Sequence, residues 1–388
     1  MVGLSTFTSA SDVDAETSET VVETAGRLAP RLAARAAEFD ESDSFVGENF
    51  ALLKQAGLAE AGVPRELGGR GAEVGELADM LRLMAHACSS TALAFAMHTH
   101  QVAIPAWRWV HQKAPVEPLL RRIATERMII VSSGGSDWVP GSGKAEKVEG
   151  GYKITARKVF SSGCPSGNLL MTGAVYDSPE EGPMVLHFGI PMNSPNVRII
   201  PVWKTLGMRA TGSHDVMIDG HVVPDAAVAL KRKAGEWHLV FHTIVMIAFP
   251  LIYSVYLGVA ESARDIALEL ARKRRPDPHI TQLAGRMETE LRGAQMAVSA
   301  MLATVRGNKP GPETTNEIMI GRHLAAKHAI AAVELAMETA GGAGFFRAAG
   351  LERRFRDIQG ARYHPMQPGA QAHYAGAMAL GMPVANVY

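Results

Sequence analysis

The sequence predicts a mainly α protein with a β domain in its middle, and three observations carry that expectation. Apolar residues recur at three- and four-residue spacing through the first third of the chain and again from about residue 236 to the end. Between these regions lie short β-branched runs punctuated by Gly, Pro, Asn or Asp. At 388 residues the chain exceeds one typical core, so two or three packed modules are expected.

In chain order, residues 1–20 are acidic and Ser/Thr-rich, with no basic segment leading into an apolar one. They are expected to form a flexible tail rather than a secretory signal. Residues 21–124 are expected to form a helical domain. Within it, VPRELGGRGAEVG (Val63–Gly75) marks a turn through Pro64, Gly68, Gly69 and Gly71. The next stretch predicts two helices broken near Ser89 and Ser90, the second holding His98 and His100. Residues 125–235 carry the strand-like runs MIIVSSGG, YKITARKVFSSG, NLLMTGAVYD, MVLHFGIPM, VRIIPVW and HDVMIDGHVVP. Residues 236–388 predict three long amphipathic helices, as in a four-helix-type bundle. After the Gly341–Arg347 turn, a charged helix holding Glu352, Arg353, Arg354, Arg356 and Asp357 is expected to run out at Tyr363-His364-Pro365.

Composition narrows the function. Net charge is zero and no basic block occurs, so nothing favours nucleic acid or an anionic membrane. The apolar run Ile244–Leu257 is short for a bilayer span and reads as a buried helix. Cys88 and Cys164 are the only cysteines, with no disulfide framework and no metal-ligand spacing, which fits a reducing cytoplasm.

The order of modules, together with five local motifs, resembles the acyl-CoA dehydrogenase superfamily of flavoproteins across nearly the whole chain. The motifs are VPRELGGRG, SSGGSD (Ser132–Asp137), GYKITARKVFSSG (Gly151–Gly163), LGMRATGSHDVMIDGHVVP (Leu206–Pro224) and GGAGF…LERRFRD. The resemblance implies a helical domain, a β-barrel-like middle domain and a C-terminal four-helix bundle, with flavin between the last two. It also implies a homotetramer.

A dehydrogenase of this family removes the α-proton of an acyl thioester with a glutamate. Neither family position for that glutamate is acidic here. His364 and Pro365 occupy the C-terminal one, with no acidic residue after Asp357, and no carboxylate occurs between Glu236 and Glu261. In this respect the chain resembles the two-component flavin-dependent monooxygenase branch, which includes dibenzothiophene monooxygenase. There a histidine follows the Arg-Asp pair, as His364 does, and a second follows a Ser-Ser pair, as His98 does. The resemblance implies catalytic roles for His98 and His364. It implies flavin contacts from Ser136, Phe160, Ser161, Ser162, Gly341 and Gly342, with Ser162 on the N5/O4 edge and Phe160 against the ring. An imidazole suits this chemistry because its ordinary pKa lies near neutrality.

The region Arg272–Gln282 lacks the family's Phe-Gly, and Glu338 stands where FAD-binding members carry Gln. Weaker ADP recognition fits FMN, and FAD stays open; either way the flavin would arrive reduced, from a separate NAD(P)H:flavin reductase. O2 and a small aromatic, sulfur or amine molecule would be the co-substrates. Two other readings stand beside this one: an acyl-CoA dehydrogenase with a non-standard base, and a non-catalytic flavin-binding subunit. His98 and His364 also have ordinary structural readings, as a packed core residue and a helix-end cation. His100 is expected on another side of its helix, in a structural or surface position.

Overall fold

A computed structural model describes residues 19–133, 135 and 139–384. Six helices come first: α1 (Val21–Ala34), α2 (Ala36–Ser42), α3 (Gly47–Gln55), α4 (Val74–Ala87), α5 (Ser89–Gln112) and α6 (Glu117–Glu126). A capping box starts α1, with Thr20 Oγ1 accepting from Glu23 N at 3.2 Å and Glu23 Oε2 accepting from Thr20 N at 2.8 Å. Val21, Ala25, Leu28 and Leu32 give α1 one buried face, which packs on α4. Between α4 and α5 only Cys88 leaves helical geometry, at φ −146 and ψ 100, and that single residue makes the break expected at Ser89.

Eight strands follow: β1 (Ile130–Ser132), β2 (Lys144–Val148), β3 (Gly151–Ser161), β4 (Leu169–Ser178), β5 (Gly182–Pro191), β6 (Val197–Ile200), β7 (His214–Pro224) and β8 (Leu230–Lys233). Their order across the sheet is β6-β7-β3-β2-β4-β5-β8, and β1 adds to β4 in parallel. No pairing joins β6 to β8 among the described residues, so the barrel-like sheet is open along that seam. The register of β3 on β7 shifts between Lys158 and Ser161. Such a bulge re-aims side chains, and here the in–out alternation fails so that Val159 and Phe160 are both exposed.

The C-terminal part holds α7 (Val240–Arg272), α8 (Pro278–Arg306) and α9 (Pro312–Ala340), followed by the short α10 (Leu351–Ile358) and α11 (Pro368–Ala379). The long helices pack on one another, α10 lies on α7 and α9, and α11 lies on α9. The three expected long helices are thus joined by two short ones, the first of which is the expected charged helix. α7 is long and apolar enough to cross a membrane, but 94% of its apolar window is buried inside the protein, as befits a core helix. The N-terminal helices dock onto it through α4 and α5.

One loop ties the β domain to α10. A Cβ on Gly207 would lie 2.1 Å from the Arg356 carbonyl oxygen, so only glycine allows this approach. Next to it, Met208 N donates to Asp357 Oδ1 at 2.5 Å, and Ser89 Oγ donates to the other oxygen of that carboxylate.

Candidate active site

The charged helix α10 ends in a turn that presents His364. Its Nε2 lies 2.7 Å from the hydroxyl of Tyr256 on α7. Tyr256 is 1% exposed, and burial, then Tyr253 and Asp357, raises its pKa well above the usual phenol value. The phenol therefore keeps its proton. Burial, then the Arg322 and His100 charges, pushes the His364 pKa down to about 3, so the imidazole is neutral at pH 7. The buried Tyr256 hydroxyl has no other acceptor among the described residues, so it donates to Nε2, which places the imidazole proton on Nδ1. That Nδ1 has no hydrogen-bond partner among the described residues.

The turn carrying His364 is clamped from beneath. Arg322 on α9 is 1% exposed and donates through Nη2 to the carbonyls of His364 at 2.8 Å and Ala361 at 3.4 Å. Its guanidinium carbon lies 5.2 Å from the centroid of the Tyr253 ring, whose hydroxyl donates to Ala361 O at 2.9 Å. No carboxylate pairs with Arg322 among the described residues, and its Nε is buried without a partner. From the β domain, Gly135 lies against the turn: a Cβ on it would sit 2.2 Å from Pro365 Cγ.

The two expected catalytic histidines do not share a role. His98 is 1% exposed, and both its ring nitrogens are taken by backbone, Nε2 by Ala59 O at 2.8 Å and Nδ1 by Ile130 N at 3.0 Å. Burial pushes its pKa down to about 4. These bonds make His98 a tie between the N-terminal helices and β1, with no nitrogen left for a substrate, and the catalytic expectation for it is withdrawn on that ground. His100 is the histidine of α5 that, were it protonated, would oppose a proton on His364. It is buried rather than at the surface, with Nδ1 bonded to Ala96 O at 3.0 Å and Nε2 3.2 Å from Gln101 Nε2.

The flavin-side expectations divide similarly. Phe160 is 41% exposed and pairs with Trp203, ring centroids 4.9 Å apart. Ser162 Oγ lies 2.7 Å from Ser213 Oγ. Ser161 is fully buried, and its hydroxyl donates to Ser132 O at 2.9 Å. It fastens β3 to β1, which corrects its expected place against a cofactor. Ser136 lies outside the described residues. Gly341 and Gly342 follow the C-terminus of α9, where Arg274 donates to Thr339 O and crowds Gly341. The two segments compared above with a dinucleotide site, Arg272–Gln282 and Glu338–Gly342, thus meet at one end of the bundle.

The exposed Phe160 against the half-buried Trp203, with the Ser162 hydroxyl two residues on, suits a planar tricyclic ring with one hydrogen-bonding edge, so these residues fit a flavin. Tyr256, Tyr253, Arg322, Thr211 and Ser213 were not singled out from the sequence as site residues. Only the sequence of the Leu206–Pro224 segment could have pointed to the last two.

The N-terminal domain model of acyl-CoA dehydrogenase matches residues 15–115, and the C-terminal domain model matches residues 251–367. The chain belongs to the acyl-CoA dehydrogenase superfamily. Among its relatives is YdbM of Bacillus subtilis (strain 168), named as a candidate acyl-CoA dehydrogenase, 26% identical over 92% of this chain and 96% of that one. Amino sugar nitrososynthase RubN8 of Streptomyces rubradiris is 28% identical, covering 93% of this chain and 90% of its own. Dibenzothiophene monooxygenase of Rhodococcus erythropolis is 27% identical over 86% of each. A solved structure of KijD3 with FMN and a dTDP-amino-keto sugar superimposes with a TM-score of 0.85, at 25% identity, over 95% of this chain and 98% of that one.

Proposed function

We propose that this protein is a flavin-dependent monooxygenase that receives reduced flavin and uses O2 to oxygenate a small aromatic, sulfur-containing or amine substrate. The observation that carries the proposal is the neutral His364, bonded to Tyr256 and free at Nδ1, where a dehydrogenase needs a carboxylate. Asp357, the last acid before His364 in the chain, is 1% exposed and has its oxygens taken by Met208 N and the Ser89 hydroxyl. It is not placed to take a proton from a thioester. The relatives named for nitrososynthesis and for dibenzothiophene oxygenation support the same class.

Reduced flavin supplies the electrons that activate O2. The chain's own residues do the rest. Phe160 and Trp203 would offer an apolar face to the ring, and Ser162 would meet its N5 edge. His364 Nδ1–H would donate a hydrogen bond to substrate or to the oxygen being transferred, while the Tyr256 hydroxyl keeps Nε2 as its acceptor and so holds the proton on Nδ1. Gly135 packs against Pro365 beside His364. Gly341 and Gly342, with Arg274, would meet the distal part of the flavin. FMN fits better than FAD, because Glu338 would repel a pyrophosphate.

Four assignments complete the proposal: a cytoplasmic location, a separate NAD(P)H:flavin reductase as donor, a homotetrameric assembly, and the module boundaries 1–20, 21–124, 125–235 and 236–388. The exposed Met296, Leu324, Phe345 and Phe346 on the outside of the bundle suit such an assembly.

The test is to supply chemically reduced FMN and 18O2 with a panel of phenols, thioethers, thiophenes and amino sugars. An 18O-labelled product is expected. A specific observation favours a second reading, acyl-CoA dehydrogenation: the family models and YdbM are named for it. Anaerobic bleaching of bound oxidised flavin by an acyl-CoA, with no labelled product, would establish that reading instead.

A further inference from the structure

Ser162, Ser213 and Thr211 form a chain of three hydroxyls. Ser162 Oγ and Ser213 Oγ are 2.7 Å apart, as are Ser213 Oγ and Thr211 Oγ1. Ser213 is 1% exposed and Thr211 fully buried, so neither hydroxyl turns to solvent for a partner. The far end of the chain sets its direction. Thr211 Oγ1 lies 3.0 Å from the carbonyl oxygen of Met208. A carbonyl only accepts, and two oxygens this close with no proton between them repel. Thr211 therefore donates to Met208 O and must accept from Ser213. Ser213, its proton spent on Thr211, must accept from Ser162.

The terminal carbonyl cannot swing away to reverse this order. Trp203 Nε1 donates to it at 3.0 Å and Thr211 N at 3.2 Å, while Met208 N is held by Asp357 Oδ1 at 2.5 Å. Ser162 has thus committed its only proton inward, and toward a ligand it presents lone pairs alone. We infer that this directed chain makes Ser162 a hydrogen-bond acceptor for the flavin, so that the site selects the reduced form. Reduced flavin carries a proton on N5 and can donate to Ser162. Oxidised flavin has a lone pair there and meets another lone pair. Thr211 and Ser213 are positioning residues, acting through Ser162 and touching no ligand. The inference rests on the proposed placement of Ser162 at the N5 edge.

The experiment compares dissociation constants of oxidised and anaerobically reduced FMN, and the midpoint potential of bound FMN, in wild type and four variants. Ser213→Ala removes the acceptor of the Ser162 proton. Thr211→Val removes the acceptor of the Ser213 proton, so the chain can reverse. In both, the ratio of the oxidised to the reduced dissociation constant should fall roughly tenfold, about the worth of one hydrogen bond. The bound two-electron potential should fall by about 30 mV. Thr211→Ser keeps the hydroxyl and should keep the wild-type ratio, which separates hydrogen-bond direction from packing damage. A wild-type ratio and potential in Ser213→Ala and Thr211→Val would overturn the inference. Ser162→Ala distinguishes the two layers: if it changes neither affinity, the placement of flavin at Ser162 fails and the inference with it. If it changes the ratio while the other two variants do not, only the directed chain fails.

Discussion

His364 draws its chemistry from neighbours far away in the chain. Tyr256, 108 residues earlier, fixes which ring nitrogen carries the proton, and Arg322 holds the backbone on which the ring sits. Replacing His364 with Ala should lower oxygenation by roughly 10²- to 10³-fold, the usual worth of one preorganised hydrogen-bond donor at a reacting oxygen. FMN binding should stay intact, and product formation beside a flavin titration reads both. Tyr256→Phe should lower turnover about tenfold or more by releasing the tautomer, again with flavin retained. Unchanged turnover in either variant would remove that side chain from the mechanism. The histidine itself was legible in the sequence, because His364 stands where an acid is expected. Its partners were not. No spacing rule links Tyr256 or Arg322 to it, and in sequence Tyr253 and Tyr256 read as two more residues of an apolar run. His98 was misjudged for a related reason: a histidine on an Ala-rich helix looks the same whether its nitrogens face a cavity or a carbonyl such as Ala59 O.

Among the elements, the loop 206–213 has the most to hold together. It approaches α10 at Gly207, grips Asp357 through Met208 N, and carries the hydroxyls that reach Ser162. Gly207→Ala forces a Cβ against the Arg356 carbonyl, a backbone atom that cannot rotate out of the way. The expected cost is about 1–3 kcal/mol, the range for overpacking a buried contact. Denaturant unfolding would measure it, and weaker FMN binding should accompany it because Thr211 and Ser213 move with the loop. A variant as stable as the wild type would show that the contact is loose. The periodicity of α1, α4 and α8 was readable because each buries one apolar face, whereas the first half of α7 was readable as a continuous apolar run that is buried all round. β2 and β8 were not, since KAEKV and LKRK bury little apart from Ala145 and Arg232 and look like charged loop. β3 was read as a strand, but its bulge at Lys158–Ser161 depends on pairing with β7 and has no local signature.

Across the whole molecule, neutral histidines, His98 and His100 buried and His364 half-buried, couple stability to pH. Burial holds His98 and His100 down to about 4 and His364 to about 3, against an ordinary value of 6.5. Below pH 6.5 the unfolded chain takes up protons at these rings while the folded chain does not. Their contribution is therefore fully present above pH 6.5 and is lost as the pH falls through 4 toward 3. The melting temperature should drop steadily between pH 6.5 and pH 4, and a flat profile over that window would show that the rings are solvated. Proton uptake on unfolding at pH 5, measured by calorimetry in buffers of different ionisation enthalpy, would approach three from these groups. The module order was legible because each module has its own hydrophobic period. The way the modules meet was not, since Gly135 against Pro365 and Gly207 against Arg356 join segments that only the folded chain brings together.

The central claim is that an imidazole rather than a carboxylate serves a flavin that arrives reduced. The most direct measurement mixes the protein with reduced FMN and oxygenated buffer in a stopped-flow spectrometer and follows the flavin absorbance. The account predicts an oxygen-dependent transient distinct from reduced and oxidised FMN, decaying more slowly than free reduced FMN is consumed. Reoxidation at the rate of free FMN with no transient, in protein shown to bind the flavin, would contradict it.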